Sequence, residues 1–195
     1  MKDELDPRDD AETPLSPDER EAIIPSYITL RGELNAAEQD NILEAEGWAF
    51  RRRRDVLDEA LLRNLHLRMY GHVWRWAGQY RRSDKNIGVD WPTIPQHLRQ
   101  LLNDSRFWVQ RESYGPDEIA ARFHHKLVWI HCYPNGNGRH GRLAADLLLT
   151  SMDRPRFSWG RANLVDVSET RLRYVAALRA ADHHDFVPLL AFVRS

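Results

Sequence analysis

The stretch "HCYPNGNGRHGR", His131–Arg142, puts a histidine at the end of one apolar helical pattern and two arginines at the start of the next. Upstream, Ile119, Phe123, Leu127 and Ile130 recur at steps of four and three and predict a helix from Pro116 to about Ile130. Downstream, Leu143, Leu147 and Leu148 predict a second helix over "RHGRLAADLLLTSM". The loop between them therefore ends at a helix head, where unpaired N–H groups and a partial positive charge attract phosphate. Gly136 and Gly138 carry no Cβ to keep an anion from those amides, and they tolerate the positive φ of an anion-binding nest. Arg139 and Arg142, three apart, project from one side of the helix with forks suited to a di- or triphosphate. A plain turn accounts for the same asparagines and glycines, and His131 then reads as a histidine at a helix end. Such a turn needs neither His131 nor two arginines in register.

Working outward, the rest of the chain is also helical in pattern. Ser16, Pro17 and Glu19 in "SPDE" make a capping box for a helix kept short by Pro25. A second helix is expected from about Glu33 through "ELNAAEQDNILEAEGWAF", with Leu34, Ala45 and Trp48 on one face, and a third from about Asp58 to Tyr70, ended by Gly71. Further helices are expected from Pro95 to Val109, from a capping Ser168 to about Ala181, and from Asp185 to Val193. "GQYRRSDKNIGVDW" breaks the periodicity, carries β-branched and aromatic residues around Gly88 and is stopped by Pro92, which predicts a small β-hairpin or flap. Trp74, Trp76, Trp108 and Trp129 are assigned to the core. The fold class is mainly α with one hairpin. It comprises a disordered acidic tail over 1–15, N-terminal helices over 16–54 and a principal domain over 55–195.

The 195 residues are 42% hydrophobic, enough for one core, and 28 basic against 29 acidic residues leave a charge of -1. That balance argues against direct nucleic-acid binding and against an anionic membrane surface, so any polyanion is a small one held locally. Cys132, the single cysteine, has no partner for an internal disulfide, which points to a reducing compartment. The acidic, proline-bearing start has no secretory pattern, its "KDEL" is not C-terminal, and no apolar run nears the ~20 residues of a membrane helix. A soluble, cytoplasmic protein is expected.

The motif resembles that of the Fic (Fido) domain family, HxFx(D/E)GNGRxxR, through His131, Tyr133, Gly136, Asn137, Gly138, Arg139 and Arg142. "VWRWAGQYR", "NIGVD", "RHGRLAADLLL" and "TPLSPDE" extend the likeness to the group called mobile mystery protein B. The resemblance implies a Fic-fold helical bundle and a nucleotidyltransferase, a protein adenylyltransferase that moves AMP from ATP to a target-protein hydroxyl and releases pyrophosphate. By that likeness His131 is the general base, suited by an ordinary pKa of about 6.5. Asn137 and the glycine amides hold the α-phosphate, Arg139 and Arg142 hold the β- and γ-phosphates and stabilise the leaving charge, and Tyr133 anchors the loop. Asn86, Ile87, Gly88 and Val89 would form a target-docking flap, for which a purely structural hairpin is the alternative. The likeness also implies a bacterial source and a helix-turn-helix regulator encoded nearby.

Two positions depart from the family motif, Tyr133 in the phenylalanine place and Asn135 in that of the acid. Asn135 replaces the acid that binds Mg²⁺, offering one neutral oxygen where a carboxylate brings charge, so metal affinity should fall there. A catalytically weak module that binds a nucleotide or partner in a toxin–antitoxin-like pair is the alternative function. On the second helix, Glu38 and Asn41 fall in the apolar stripe, where a carboxylate demands a cation. By analogy with inhibitory helices of the family, Glu38 is expected to pair with Arg142 and restrain the site, against the plainer reading of a surface salt bridge. His124 and His131, seven apart with His125 and His140 near, raise a metal-hydrolase reading, but no HExxH or CxxC accompanies them. The arginines at 51–54 read as a solvated helix end.

Overall fold

The computed structural model describes residues 15–160 and 167–195. The expected acidic tail falls outside these residues over 1–14, and the side chain of the expected cap at Ser168 also lies outside them. Eight α-helices and one 3₁₀ turn make up the described fold. Ser16 opens α1 (Pro17–Arg20) with both halves of a capping box: its Oγ accepts from the Glu19 N–H, and its own N–H donates to Glu19 Oε2 at 2.8 Å. α2 (Arg31–Phe50) packs on α3 (Glu59–Tyr70), whose cap is Asp58, accepting from the Ala60 N–H at 3.1 Å. The 3₁₀ turn Trp91–Thr93 leads into α4 (Ile94–Arg111), followed by α5 (Pro116–Ile130), α6 (Asn137–Ser151), α7 (Val167–Asp182) and α8 (Val187–Val193).

The α5–α6 pair is the centre of the molecule. α4 and α8 lie against α5, α2 and α3 lie against α6, and α7 packs on α8. Phe123, Leu127 and Ile130 of the predicted α5 stripe are buried in one core with Leu143, Leu147 and Leu148 of α6, and Leu34, Ala45 and Ala49 of α2 join it. Each fully buried Leu, Ile or Phe contributes about 1.5–3 kcal/mol of transfer free energy. Because both central helices are clamped from outside, the loop that joins them has fixed ends.

Two expectations are corrected. No strand forms over 79–90, which is a succession of bends. Its amides turn to the end of α5 instead of to each other: the Arg81 N–H donates to the Cys132 carbonyl at 2.9 Å and the Val89 N–H to the Ile130 carbonyl at 3.4 Å. Those groups are then missing from any ladder across the loop. Nor does Trp129 belong to the core. It is 39% exposed, one position off the buried stripe, with Lys126 Nζ 3.4 Å above its ring and His97 edge-on. Trp74 is buried as expected, and Trp76 and Trp108 pack partly buried against the core.

Candidate active site at the α5–α6 loop

His131 is the residue on which α5 ends. It takes the left-handed conformation at φ 57°, which turns the chain sharply out of the helix. Histidine is one of the few side chains found there with any frequency, and strained backbone of this kind concentrates at functional sites. Burial holds its imidazole down, and the charges of Arg81 and Lys85 lower it further against an opposing hydrogen bond to the Val128 carbonyl, leaving it at about 4. The ring is therefore a neutral proton acceptor at pH 7.

The loop that follows is ordered by its own amide side chains. Asn137 Oδ1 accepts the Tyr133 N–H at 2.9 Å and its Nδ2 donates to the Tyr133 carbonyl at 2.8 Å, closing the loop on itself. Tyr133 stacks on His66 at 3.6 Å between centroids, so it anchors the loop as expected from its motif place. His66 Nδ1 accepts the Gly78 N–H at 3.0 Å, which leaves the hydrogen on Nε2 to donate to the Asn135 carbonyl at 3.1 Å. Gly136 sits at φ 81°, and a Cβ there would fall 2.5 Å from the Tyr70 ring. Only glycine satisfies both the angle and the space.

At the head of α6 no side chain caps the helix, and a Cβ on Gly138 would meet nothing nearer than the Tyr174 hydroxyl at 3.7 Å. The N-terminal amides of Asn137, Gly138 and Arg139 are thus the helix's own electropositive end. The two motif arginines diverge. Arg139 lies 5.3 Å from the Tyr70 ring and donates to Glu38 Oε2 at 2.7 Å, whereas Arg142 lies 5.4 Å from the Tyr174 ring of α7. Glu38 is 2% exposed, and its other oxygen accepts from Trp74 Nε1 at 2.7 Å. The expected partner Arg142 is corrected to Arg139: α2 packs on the α3 side of α6, the side Arg139 faces, while Arg142 one turn on points toward α7. Asn41 does not reach the site and instead binds the backbone and ring of His72.

The fit of a divalent cation can be judged from the donors present. Asn135 Oδ1 accepts the Gly136 N–H at 2.6 Å, and this one oxygen carries no charge to offer a cation. No group of three His, Cys, Asp or Glu residues able to hold a metal occurs among the described residues. The donors at position 135 do not fit Mg²⁺, which favours carboxylates and phosphate oxygens. The other histidines serve separate partners: His124 meets the Tyr174 hydroxyl, His125 meets Asp182 and His140 meets the Leu62 carbonyl.

The flap segment crosses the histidine. Gly88, at φ 104°, lies where a Cβ would come 2.6 Å from His131 Cβ, and Lys85 is tied to Glu19 of α1 with both side chains nearly buried. Ile87 stands 37% exposed beside it. His66, Tyr70, Trp74, Arg81 and Tyr174 all shape this site and none was legible from local pattern, because their partners are distant in sequence.

Comparison with known proteins agrees with this geometry. The profile of the Fic/DOC family matches residues 56–149. The protein adenylyltransferase Fic of Aedes aegypti is 31% identical over 144 residues, covering 72% of this chain and 26% of that protein, so the chain spans about a quarter of this curated relative's length. BepC of Bartonella tribocorum, a VirB-translocated effector crystallised with AMPPNP, has a TM-score of 0.66 at 15% identity, covering 90% of this chain and 95% of that one. Fic-1 from C. elegans has a TM-score of 0.64 at 22% identity, covering 89% of this chain and 51% of that one. The helical fold, the glycine-bearing loop closed by Asn137 and the matched residues 56–149 lead to one assignment: this chain belongs to the Fic/DOC family.

Proposed function

We propose that the chain transfers AMP from ATP to a hydroxyl of a target protein. The carrying observation is the left-handed turn at the buried His131, which ends α5 two residues before the Tyr133 peptide that Asn137, at the uncapped head of α6, clamps. In this reading His131 takes the proton of the target hydroxyl as its oxygen attacks the α-phosphorus. The bond to the β-phosphate oxygen breaks and pyrophosphate departs. Amides of Asn137, Gly138 and Arg139 receive the phosphates, and Arg139 and Arg142 stabilise the charge that accumulates on the leaving group. The side-chain carboxamide of Asn137 acts as a brace for the loop and leaves phosphate binding to the backbone N–H. Asn86, Ile87, Gly88 and Val89 serve as the docking edge for the target, in keeping with the contact of Gly88 with His131. The relatives named protein adenylyltransferase support the reaction type.

Glu38 is the restraint in this proposal. Held between Trp74 and Arg139, it occupies the guanidinium that a phosphate would take. Incubation with ATP labelled at the α-phosphate, Mg²⁺ and cell lysate tests the function, with His131→Ala in parallel. Label on protein that disappears in the variant supports it; equal labelling by both proteins overturns it. Asn135, whose one oxygen carries no charge to offer a cation, favours a second reading, a weak module that binds a nucleotide within a toxin–antitoxin-like pair. Nucleotide binding without any transfer is the outcome that selects it.

A further inference from the structure

Arg81 carries a permanent charge on a side chain with no solvent exposure. A buried guanidinium loses several kcal/mol of hydration unless its donors are satisfied. Here they are: Nε donates to the His131 carbonyl at 2.7 Å, Nη1 to the Ser83 carbonyl at 2.9 Å and Nη2 to the Val89 carbonyl. Asp84 approaches Nη1 at 3.6 Å from the solvent side, so carbonyl dipoles do most of the holding. The backbone N–H of the same residue donates to the Cys132 carbonyl. One side chain thus joins the turn at His131 to both limbs of the flap, and the missing Cβ of Gly88 leaves the room this requires, since a methyl there would come 2.8 Å from Nη2.

Resting on the reading of His131 as the base, we infer that Arg81 is a positioning residue that locks the His131 backbone and the flap at 86–89 into one rigid unit. Base and target-docking edge then keep a fixed spacing through the reaction, which is where small displacements cost most in rate. Its charge has a second effect on the ring beside it. Arg81 and Lys85 are the cations that act on the imidazole, with the Val128 carbonyl from α5 opposing them. Protonation of His131 is disfavoured by burial first and by Arg81 next, so loss of the guanidinium charge moves proton uptake toward the ordinary histidine range of about 6.5.

The test uses the full chain with Arg81→Lys and Arg81→Met. The His131 ring is titrated by NMR, and amide exchange is measured at 86–89; neither readout needs turnover. Arg81→Met is expected to raise the His131 midpoint and to speed exchange of the flap amides by about tenfold or more, a factor equal to ~1.4 kcal/mol of local opening. Arg81→Lys keeps the charge but cannot bridge three carbonyls, so exchange should rise while the midpoint stays near that of the parent. A purely structural arginine would not separate the two readouts in this way. Unchanged flap exchange in both variants overturns the inference, as does a midpoint that moves equally in both. If neither variant folds, the Arg81 Nε–H of the parent decides: slow solvent exchange supports the inference, and exchange as fast as that of free arginine overturns it. Loss of the catalytic reading would appear separately, as label transfer that survives His131→Ala while these NMR results stand.

Discussion

Asn137 is the residue that makes the loop a single object. Its side chain satisfies both the N–H and the carbonyl of Tyr133, two backbone groups that are otherwise buried. Asn137→Ala orphans both, and at about 1–3 kcal/mol for each unsatisfied group the expected loss of stability is roughly 2–6 kcal/mol. Denaturant unfolding measures that loss, and nucleotide affinity should fall with it because the amides of α6 no longer hold their positions; an unfolding midpoint equal to that of the parent would show that the clamp carries no weight. The motif spacing made His131, Gly136, Asn137, Gly138 and Arg139 legible in sequence, since a loop at a helix head is a local property. It could not say which atoms Asn137 would face. A side-chain amide offers a donor and an acceptor, and the nearest backbone peptide took both.

Between elements, the apolar spacing of α2 to α6 was enough to place each helix within a few residues, and Glu38 in the buried stripe rightly called for a cation. The identity of that cation depends on how α6 is rotated against α2, which no single helix encodes. Arg139 rather than Arg142 took the place. The flap was misread for a related reason. Its β-branched and aromatic residues suit a hairpin, but the amides and carbonyls of a ladder are drawn instead to Arg81 and the end of α5. A prediction follows for the α2–α6 contact. Glu38→Gly frees Arg139 and is expected to raise ATP affinity about tenfold, or ~1.4 kcal/mol, while lowering stability by about 1–3 kcal/mol through the orphaned Trp74 indole N–H. Calorimetric titration with ATP checks this; affinity equal to or below that of the parent would remove Glu38 as a restraint.

For the molecule as a whole, the price of this buried polar core is sensitivity to acid. Burial is the leading cause that lowers His66, His124, His131 and His140, the last three to about 3, about 4 and about 4. Their unfolded forms take up protons near pH 6.5, and the folded forms refuse them until far lower. Below pH 6.5 the unfolded chain therefore binds more protons, so these rings contribute stability above that pH that is lost as the pH falls toward about 4. Each can remove up to ~1.4 kcal/mol per pH unit in that window, against a total stability of about 5–15 kcal/mol. Unfolding midpoints in denaturant should decline between pH 7 and pH 5, before carboxylates begin to titrate; a flat profile there would show that the rings are hydrated. No helix among the described residues is long and apolar enough to cross a membrane. The most direct test of the proposed chemistry compares ATP labelled at the α-phosphate with ATP labelled at the γ-phosphate, using Glu38→Gly with its His131 intact and with His131→Ala. Protein that retains the α label, loses the γ label as pyrophosphate and does neither once His131 is replaced is the expected result. Protein that carries the γ label, or an α label indifferent to His131, would contradict adenylyl transfer at this site.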